Sequence, residues 1–267
     1  GLQELFKVTG IFDKKIEEYH LGFVIGPCIN ATGRLETASL SVDLLIETDK
    51  IRAKELALNL HELNSKRQDI TKDSAARIIE KVEQKYKNDK VIIVYDEEIH
   101  ESIAGIVAGR VKERFYRPTI VLSKGKDMPK GSARSIEGYN ITEELTKCKE
   151  LIEKFGGHPM AAGLSIKEDN IDLLREKINS ICHLTEEDFL PVVRIDSPLK
   201  VEYLDYEILD TIERMKPYGK ANTSPLFAVK DLELDRIWIL GKEKNVLKIR
   251  FKYNLNGRIC LFASILF

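Results

Sequence analysis

The chain has 267 residues, of which 43% are hydrophobic, so it is long enough for one or two domains with a substantial core. Its 42 basic and 43 acidic residues leave a formal net charge of -1, which excludes a protein that is basic overall. The four cysteines form no C-x-x-C pair, which argues against a zinc knuckle and a disulfide scaffold. Since no apolar run is long enough for a membrane span, these features predict a cytoplasmic protein with reduced thiols.

The chain starts on an apolar-periodic segment and stops inside a strand-like run, so we expect a piece of a longer protein. Near the start, the segment GPCINATGR at 26–34 places Asn30 and Arg34 four residues apart. Its glycines predict a loop in which a ligand can approach the backbone closely. We therefore regard Asn30 and Arg34 as candidate ligand-binding residues.

Residues 40–87 have a helical pattern, with a break near Thr48 and Asp49, where either residue could cap a second helix. A helix of about 38 residues would be roughly 57 Å long. Its narrow apolar stripe, with charge on every other face, is typical of a helix that connects domains. The alternative is a coiled-coil arm, which the lack of clean heptads disfavours.

Residues 89–185 predict a compact α/β domain. A strand at 91–96, a helix at 103–114 and a strand at 119–123 form a βαβ unit, which we expect to be parallel. Eight basic and two acidic residues lie between Arg110 and Arg134. Such a run is either a solvated face or a local site for a polyanion.

The segment GSARS at 131–135 places Ser132 and Arg134 two residues apart. On an extended strand both side chains point to the same face. A hydroxyl beside a guanidinium suits a phosphate, because arginine reaches two oxygens at once. The spacing therefore predicts a phosphate-binding pair.

The segment FGGHPMAAG at 155–163 has one histidine between a glycine pair and a run of small residues. Gly156 and Gly157 allow main-chain N–H groups to approach an anion, and His158 is the side chain beside them. Pro159 favours an extended His158, which predicts that a helix at 142–154 ends near Phe155 and that a strand starts near Met160. The alternative is a helix C-cap before a buried strand, with no ligand.

After His183 the pattern changes to short strands, predicted at 192–195, 198–201, 226–229, 237–240, 246–251 and 259–263, with one helix at 206–216. Short strands separated by turns favour a small barrel, for which an oligonucleotide-binding (OB) barrel is the natural candidate. Trp238, Phe251 and Tyr253 are either base-stacking platforms or core residues.

The usual signatures of catalytic ions and nucleotides are absent from the sequence, which has no G-x-x-x-x-G-K-[ST], no H-E-x-x-H, no adjacent histidine pair and no Asp-x-Asp. Hydrolysis of a phosphodiester without a metal is slow. The sequence therefore predicts a chain that binds phosphates without itself holding catalytic ions.

Taken together and in this order, GPCINATGR, residues 100–111, GSARSIEGYN, FGGHPMAAG and KPYGKAN resemble the RecJ family of single-strand-specific exonucleases in the DHH phosphoesterase superfamily. The resemblance implies an α/β fold with a long connecting helix and a small OB-like β-barrel. It implies the end of the DHH catalytic domain at 1–38, the connecting helix at 39–88, the DHH-associated substrate domain at 89–185 and the OB domain at 186–267.

The resemblance also implies a function: part of a 5′-to-3′ exonuclease of DNA repair and recombination. Its partner would be single-stranded DNA, with a single-strand-binding protein and a helicase as further candidates and no membrane. Mn or Mg would serve the full-length protein, but the family's metal ligands, including an Asp-His-His triplet, precede Gly1, so we expect no metal on this chain.

By position, Arg34, Ser132 and Arg134 match family residues that grip the 5′ phosphate. His158 matches the catalytic histidine that faces the scissile phosphate, with Gly156 and Gly157 beside it, and Asn30 shares the segment of Arg34. The sequence departs from the family pattern at three positions: Cys28 replaces an arginine, Ala221 a glycine and Thr223 a proline. Two alternatives stay open: a small DHH phosphoesterase for nano-RNA or cyclic dinucleotides, and a non-catalytic nucleic-acid-binding module.

Overall fold

The computed structural model describes residues 1–230, 232–241, 244–255 and 258–266. They form two compact units that divide between Pro191 and Val192. The regular elements of the first unit are α1 (Leu2–Val8), a π-helical segment (His20–Ile25), α2 (Gly26–Leu35), α3 (Ser39–Ile46), α4 (Lys50–Lys85), β1 (Ile92–Tyr95), α5 (Glu101–Phe115), β2 (Thr119–Ser123), β3 (Lys130–Arg134), α6 (Ile141–Thr146), β4 (Ile152–His158), β5 (Ala161–Ile166) and α7 (Ile171–Ile181).

The long helix α4 is confirmed, together with the break before it. The Asp49 carboxylate accepts a hydrogen bond from the Arg52 backbone N–H at 2.8 Å, as an N-cap residue does. The first half of α4 packs in an apolar cluster with α1, α2 and α3, whereas its second half packs against α5 and the sheet. The 36-residue helix therefore connects two separate cores.

The sheet of the first unit has five strands in the order β1-β2-β3-β5-β4. The βαβ unit is confirmed, since β1 and β2 are parallel; β3, β5 and β4 continue the sheet in antiparallel pairing. One face is buried under α6 and α7. On the opposite face α5 packs against β2 and β3, while β5 and β4 are exposed at Gly163, Gly156 and His158. The sheet thus has one fully covered face and one that is half covered.

Two local predictions for the first unit are wrong. The segment 26–34 is the helix α2 and not a loop; Pro27 is compatible with this helix because it lies in the first turn. The helix predicted at 142–154 ends already at Thr146, and the strand β4 occupies Ile152–His158. A glycine pair is tolerated there because β4 is at the edge of the sheet and pairs only with β5.

The second unit contains β6 (Ser197–Pro198), α8 (Tyr206–Arg214), β7 (Phe227–Ala228), β8 (Glu233–Leu240), β9 (Val246–Leu255) and β10 (Arg258–Leu266). β8, β9 and β10 form an antiparallel sheet, while β6 and β7 form a short parallel pair. The strand predicted at 192–195 is not found, and these four residues are exposed. Within the described ranges, no helix is long and apolar enough to cross a lipid bilayer.

Candidate phosphate-binding site

The uncovered half of the sheet brings Arg134 and His158 into one row. Arg134 on β3 pairs with Ala161 on β5, and Ala161 pairs in turn with His158 on β4. Residues directly opposite each other in antiparallel strands point to the same face, and two strand spacings amount to roughly 9–10 Å. The two side chains therefore share one exposed surface with only the methyl group of Ala161 between them.

Arg134 is fixed by its own strand and by α5. Its Nη1 donates to Ser132 Oγ at 3.1 Å and to the Ala133 carbonyl at 2.7 Å. Gly105 of α5 lies against this pair: a Cβ built there would be 2.6 Å from Arg134 Nη2 and 2.8 Å from Ser132 Oγ. Because Gly105 has no side chain, the side chains of Ser132 and Arg134 can lie against α5 at this position.

Arg34 reaches the first turn of α5 from α2. Its Nη1 donates to the Ser102 carbonyl at 2.6 Å, one turn before Gly105. Burial first, and then the positive charge of Arg34, lower the pKa of Arg134. The structure therefore brings Arg34 close to Ser132 and Arg134. Asn30 is exposed one turn earlier on α2, on the same side of the helix as Arg34.

A groove of about 410 Å³ continues from Ser132 across the next row of the sheet. Gly163 and Gly156 follow Ser132 in this row, so this row of the sheet carries no side chain on β5 or β4. A Cβ on Gly156 would meet no atom within 4 Å, and one on Gly163 would be 3.9 Å from its nearest neighbour. This space is left open to a ligand.

Gly157 has a different role, because a side chain at this position would point toward the neighbouring strand β5. It has φ +157°, and a Cβ there would be 2.3 Å from the Ala161 carbonyl oxygen and 2.6 Å from Ala162 Cα. The glycine is required by the tight hairpin between β4 and β5.

Two lysines follow at the far end of the groove. Lys130, Ser165 and Lys154 form the third row. Lys130 Nζ pairs with Glu101 at 3.1 Å, so part of its charge is balanced. Across the described ranges, no three His, Cys, Asp or Glu side chains come together as a group that could hold a metal ion.

The second unit offers a separate aromatic surface. Trp238 on β8 pairs with Lys248 on β9, and three cations lie over its ring at 5.3–5.7 Å from the centroid: Arg236, Lys248 and Arg250. Phe251 lies on the other face of the sheet and stacks on Phe262 at 6.3 Å. Trp238 is therefore set apart from Phe251, and from Tyr253 on the same face as Phe251.

Comparison with known proteins decides the family. Residues 88–184 match the model of the DHHA1 domain, and residues 195–263 match the model of the RecJ OB domain. The chain belongs to the RecJ family. This confirms the fold class expected from the sequence, with the long connecting helix, the α/β domain and the OB domain. The residue ranges of the four domains given above stay predictions.

The RecJ relatives are longer than this chain. The single-stranded-DNA-specific exonuclease RecJ of Bacillus subtilis is 37% identical over 98% of this chain and 34% of its own length. Two solved structures of RecJ from Thermus thermophilus, in complex with Mg²⁺ and Mn²⁺, superpose with TM-scores of 0.81 and 0.80 at 23% identity. They match 98% and 99% of this chain, and the match covers 46% and 43% of the solved chains. The chain thus spans less than half the length of these RecJ relatives.

Sequence reasoning missed the roles of two glycines on this surface. Gly163 ends the motif FGGHPMAAG and Gly105 lies in the segment 100–111, but neither was predicted to matter for the site, since each is needed only because of what lies opposite it.

Proposed function

We propose that the first unit binds the 5′-terminal phosphate of single-stranded DNA between Arg34, Ser132 and Arg134, with His158 facing the scissile phosphodiester. The observation that carries this proposal is the common row of Arg134, Ala161 and His158 on one exposed face. A terminal phosphate at Arg134 and the following phosphodiester near His158 fit the roughly 9–10 Å between these strands.

The chemistry of the binding residues suits a phosphate monoester. Two guanidinium groups and a hydroxyl offer donors to its oxygens, and charge-assisted hydrogen bonds of this kind are the strong ones. The N-terminus of α5 adds positive potential, because Ser102 and Gly105 lie in and next to its first turn. The bare floor at Gly163 and Gly156 lets the sugar and the phosphate approach the sheet closely.

The whole protein, in this proposal, is a 5′-to-3′ exonuclease of single-stranded DNA that serves DNA repair and recombination. The solved RecJ structures are described with Mg²⁺ or Mn²⁺. The residues described here offer no group of ligands that fits such an ion, so the role assigned to them is to bind and orient the strand. The OB domain then holds the strand further along, with Trp238 as a base-stacking platform. A single-strand-binding protein and a helicase belong to the proposal as partners by family resemblance alone.

The matched OB domain distinguishes this proposal from the small DHH phosphoesterases, because a domain for a longer strand has no role with a dinucleotide. The test is equilibrium binding of 3′-fluorescein-labelled oligothymidylates that carry either a 5′-phosphate or a 5′-hydroxyl. We expect the 5′-phosphorylated probe to bind more tightly than the 5′-hydroxyl probe. Arg134→Ala should remove this difference, because it should lower the affinity for the 5′-phosphorylated probe roughly tenfold.

Arg114→Ala is the matched control, because Arg114 lies on α5 in an exposed pair with Glu83 and away from the groove. It should bind both probes as the unaltered chain does. Equal affinity of the unaltered chain for the two probes would contradict the assignment of Arg34, Ser132 and Arg134 to the terminal phosphate.

A further inference from the structure

The turn between β4 and β5, which begins at His158, is held by the segment 135–142 that follows Arg134. Three consecutive carbonyl groups of the turn accept hydrogen bonds from this segment. The Thr142 hydroxyl donates to the His158 carbonyl at 2.9 Å, the Ile141 N–H to the Pro159 carbonyl at 3.0 Å and the Ser135 N–H to the Met160 carbonyl at 3.0 Å. The segment 135–142 therefore fixes the backbone of the turn at three successive residues.

The segment 135–142 is itself anchored in the core. Its buried apolar residues Ile136, Tyr139 and Ile141 are at most 2% exposed and belong to the apolar cluster under the sheet. The Ser135 hydroxyl donates to the Tyr139 carbonyl at 2.6 Å, and this bond is buried. The segment is therefore a rigid support for the turn, whose residues His158, Pro159 and Met160 are exposed.

The peptide unit between His158 and Pro159 depends on the bond from Thr142. Proline has no backbone N–H, so the His158 carbonyl is the one polar group that this peptide unit offers. The Thr142 hydroxyl donates to it, whereas the other two bonds to the turn come from main-chain N–H groups. Thr142 therefore contributes a side chain to the support of the turn at the residue that matters for the site.

The imidazole of His158 is oriented by this backbone. Among the residues that the structure describes, none forms a hydrogen bond or an ion pair with the ring, and His158 is exposed. A side chain without such contacts points where its own backbone directs it, within the few rotamers that the backbone allows. A change in the His158–Pro159 peptide unit should thus change the direction of the ring.

We propose that Thr142 is a positioning residue for His158: its hydroxyl holds the His158–Pro159 peptide unit, so that the imidazole stays on the exposed face that it shares with Arg134. This inference rests on the proposed function. The segment 135–142 continues directly from Arg134, so one stretch of chain fixes both the arginine assigned to the terminal phosphate and the histidine assigned to the next one. A constant separation of two such groups is what a pre-organised site requires.

The test follows the His158 ring by NMR in the chain labelled with ¹³C at histidine Cε1. The sequence has five histidines, and His158→Gln identifies which signal belongs to His158. In the unaltered chain this signal should shift when the 5′-phosphorylated oligothymidylate is added. Thr142→Val keeps the shape of the side chain and removes its donor. In this variant the signal should broaden or move before DNA is added, and its shift with DNA should be reduced. The preference for the 5′-phosphate should remain, because Arg34, Ser132 and Arg134 are unaltered.

Two further variants separate positioning from a general effect on stability. Thr142→Ser retains the hydroxyl and should restore the His158 signal of the unaltered chain. Thr146→Val is the matched control, because the Thr146 hydroxyl on the same helix donates to the Thr142 carbonyl at 2.7 Å and not to the turn. Both valine variants lose one exposed hydrogen bond, so their melting temperatures should fall by similar, small amounts. Only Thr142→Val should change the His158 signal.

Three results contradict the positioning role while leaving the proposed function standing. They are a His158 signal in Thr142→Val that matches the unaltered chain with and without DNA, a Thr142→Ser variant that behaves as Thr142→Val does, and an equal change of the signal in Thr146→Val. If the His158 signal of the unaltered chain does not respond to bound 5′-phosphorylated DNA, the place of His158 in the proposed function is contradicted and the inference fails with it.

Discussion

The guanidinium of Arg134 lies directly against Gly105, so that a Cβ on Gly105 would be 2.6 Å from Arg134 Nη2. The strand β3, which carries the candidate phosphate-binding residue Arg134, and the helix α5 are thus in close contact at Gly105. This contact links the packing of α5 on the sheet to the orientation of the functional side chain.

Gly105→Ala should move Arg134 without harming the fold. The added methyl group collides with the flexible end of the arginine, while alanine in a helix is favoured over glycine by about 1 kcal/mol. We expect an unchanged or higher melting temperature and a roughly tenfold weaker binding of 5′-phosphorylated single-stranded DNA. Gly109→Ala is the control on the same helix, because a Cβ at Gly109 meets no atom within 4 Å. Equal affinities in the two variants would show that the contact at Gly105 does not matter for binding.

Gly156→Ala and Gly157→Ala should have opposite effects. A methyl group on Gly156 enters the open groove, so stability should stay the same and DNA binding should weaken. A methyl group on Gly157 meets the backbone of β5 at 2.3–2.6 Å, so the free energy of unfolding should fall by about 1–3 kcal/mol. Chemical denaturation measures the stability of both variants and fluorescence anisotropy measures their DNA binding. A destabilised Gly156→Ala with normal binding would contradict the assignment of that glycine to the groove floor.

The fluorescence of Trp238 should change when single-stranded DNA binds. It is the only tryptophan in the sequence, and the surrounding cations attract the phosphates that bring bases to its ring. We expect its fluorescence to be quenched by oligothymidylate, and Trp238→Ala to weaken binding roughly tenfold, since stacking on one base contributes about 1–3 kcal/mol. Trp238→Phe should retain part of the affinity. The control is Tyr206→Ala, an aromatic residue that is 85% exposed on α8. Fluorescence that does not respond to bound DNA would rule out the platform.

The cysteines should differ in reactivity. Burial raises the pKa of the Cys28, Cys148 and Cys182 thiols, so little reactive thiolate forms at neutral pH and reagents cannot reach it. Cys260 is only partly buried. N-ethylmaleimide at pH 7 should therefore label Cys260 first in the folded protein and all four cysteines in denaturant, as mass spectrometry of the peptides can measure. Labelling of Cys28 before Cys260 would show that the α2–α4 cluster opens readily.

Local patterns predicted the elements that have a strong signature of their own. The break before α4 at Asp49, the parallel βαβ unit and the pair Ser132–Arg134 on one strand all depend on neighbours in sequence, through capping, periodicity and alternation. Residues 152–158 show the limit of this reasoning. Their glycines were interpreted as the end of a helix, whereas hydrogen bonding to β5 makes them an edge strand, which residues nearby in sequence do not reveal.

The sequence by itself determined the family, the order of the domains and the types of residue that we predict to bind a phosphate, because motifs and their spacing are local properties. Tertiary structure alone decided which of those residues share a surface. Strand pairing placed Arg134 and His158 in one row, α5 covered only part of the sheet, and the contact of α2 with α5 brought Arg34 to the first turn of the helix that packs on Ser132 and Arg134. Contacts between residues far apart in the chain form through burial and long-range pairing, so no short segment contains the information that specifies them.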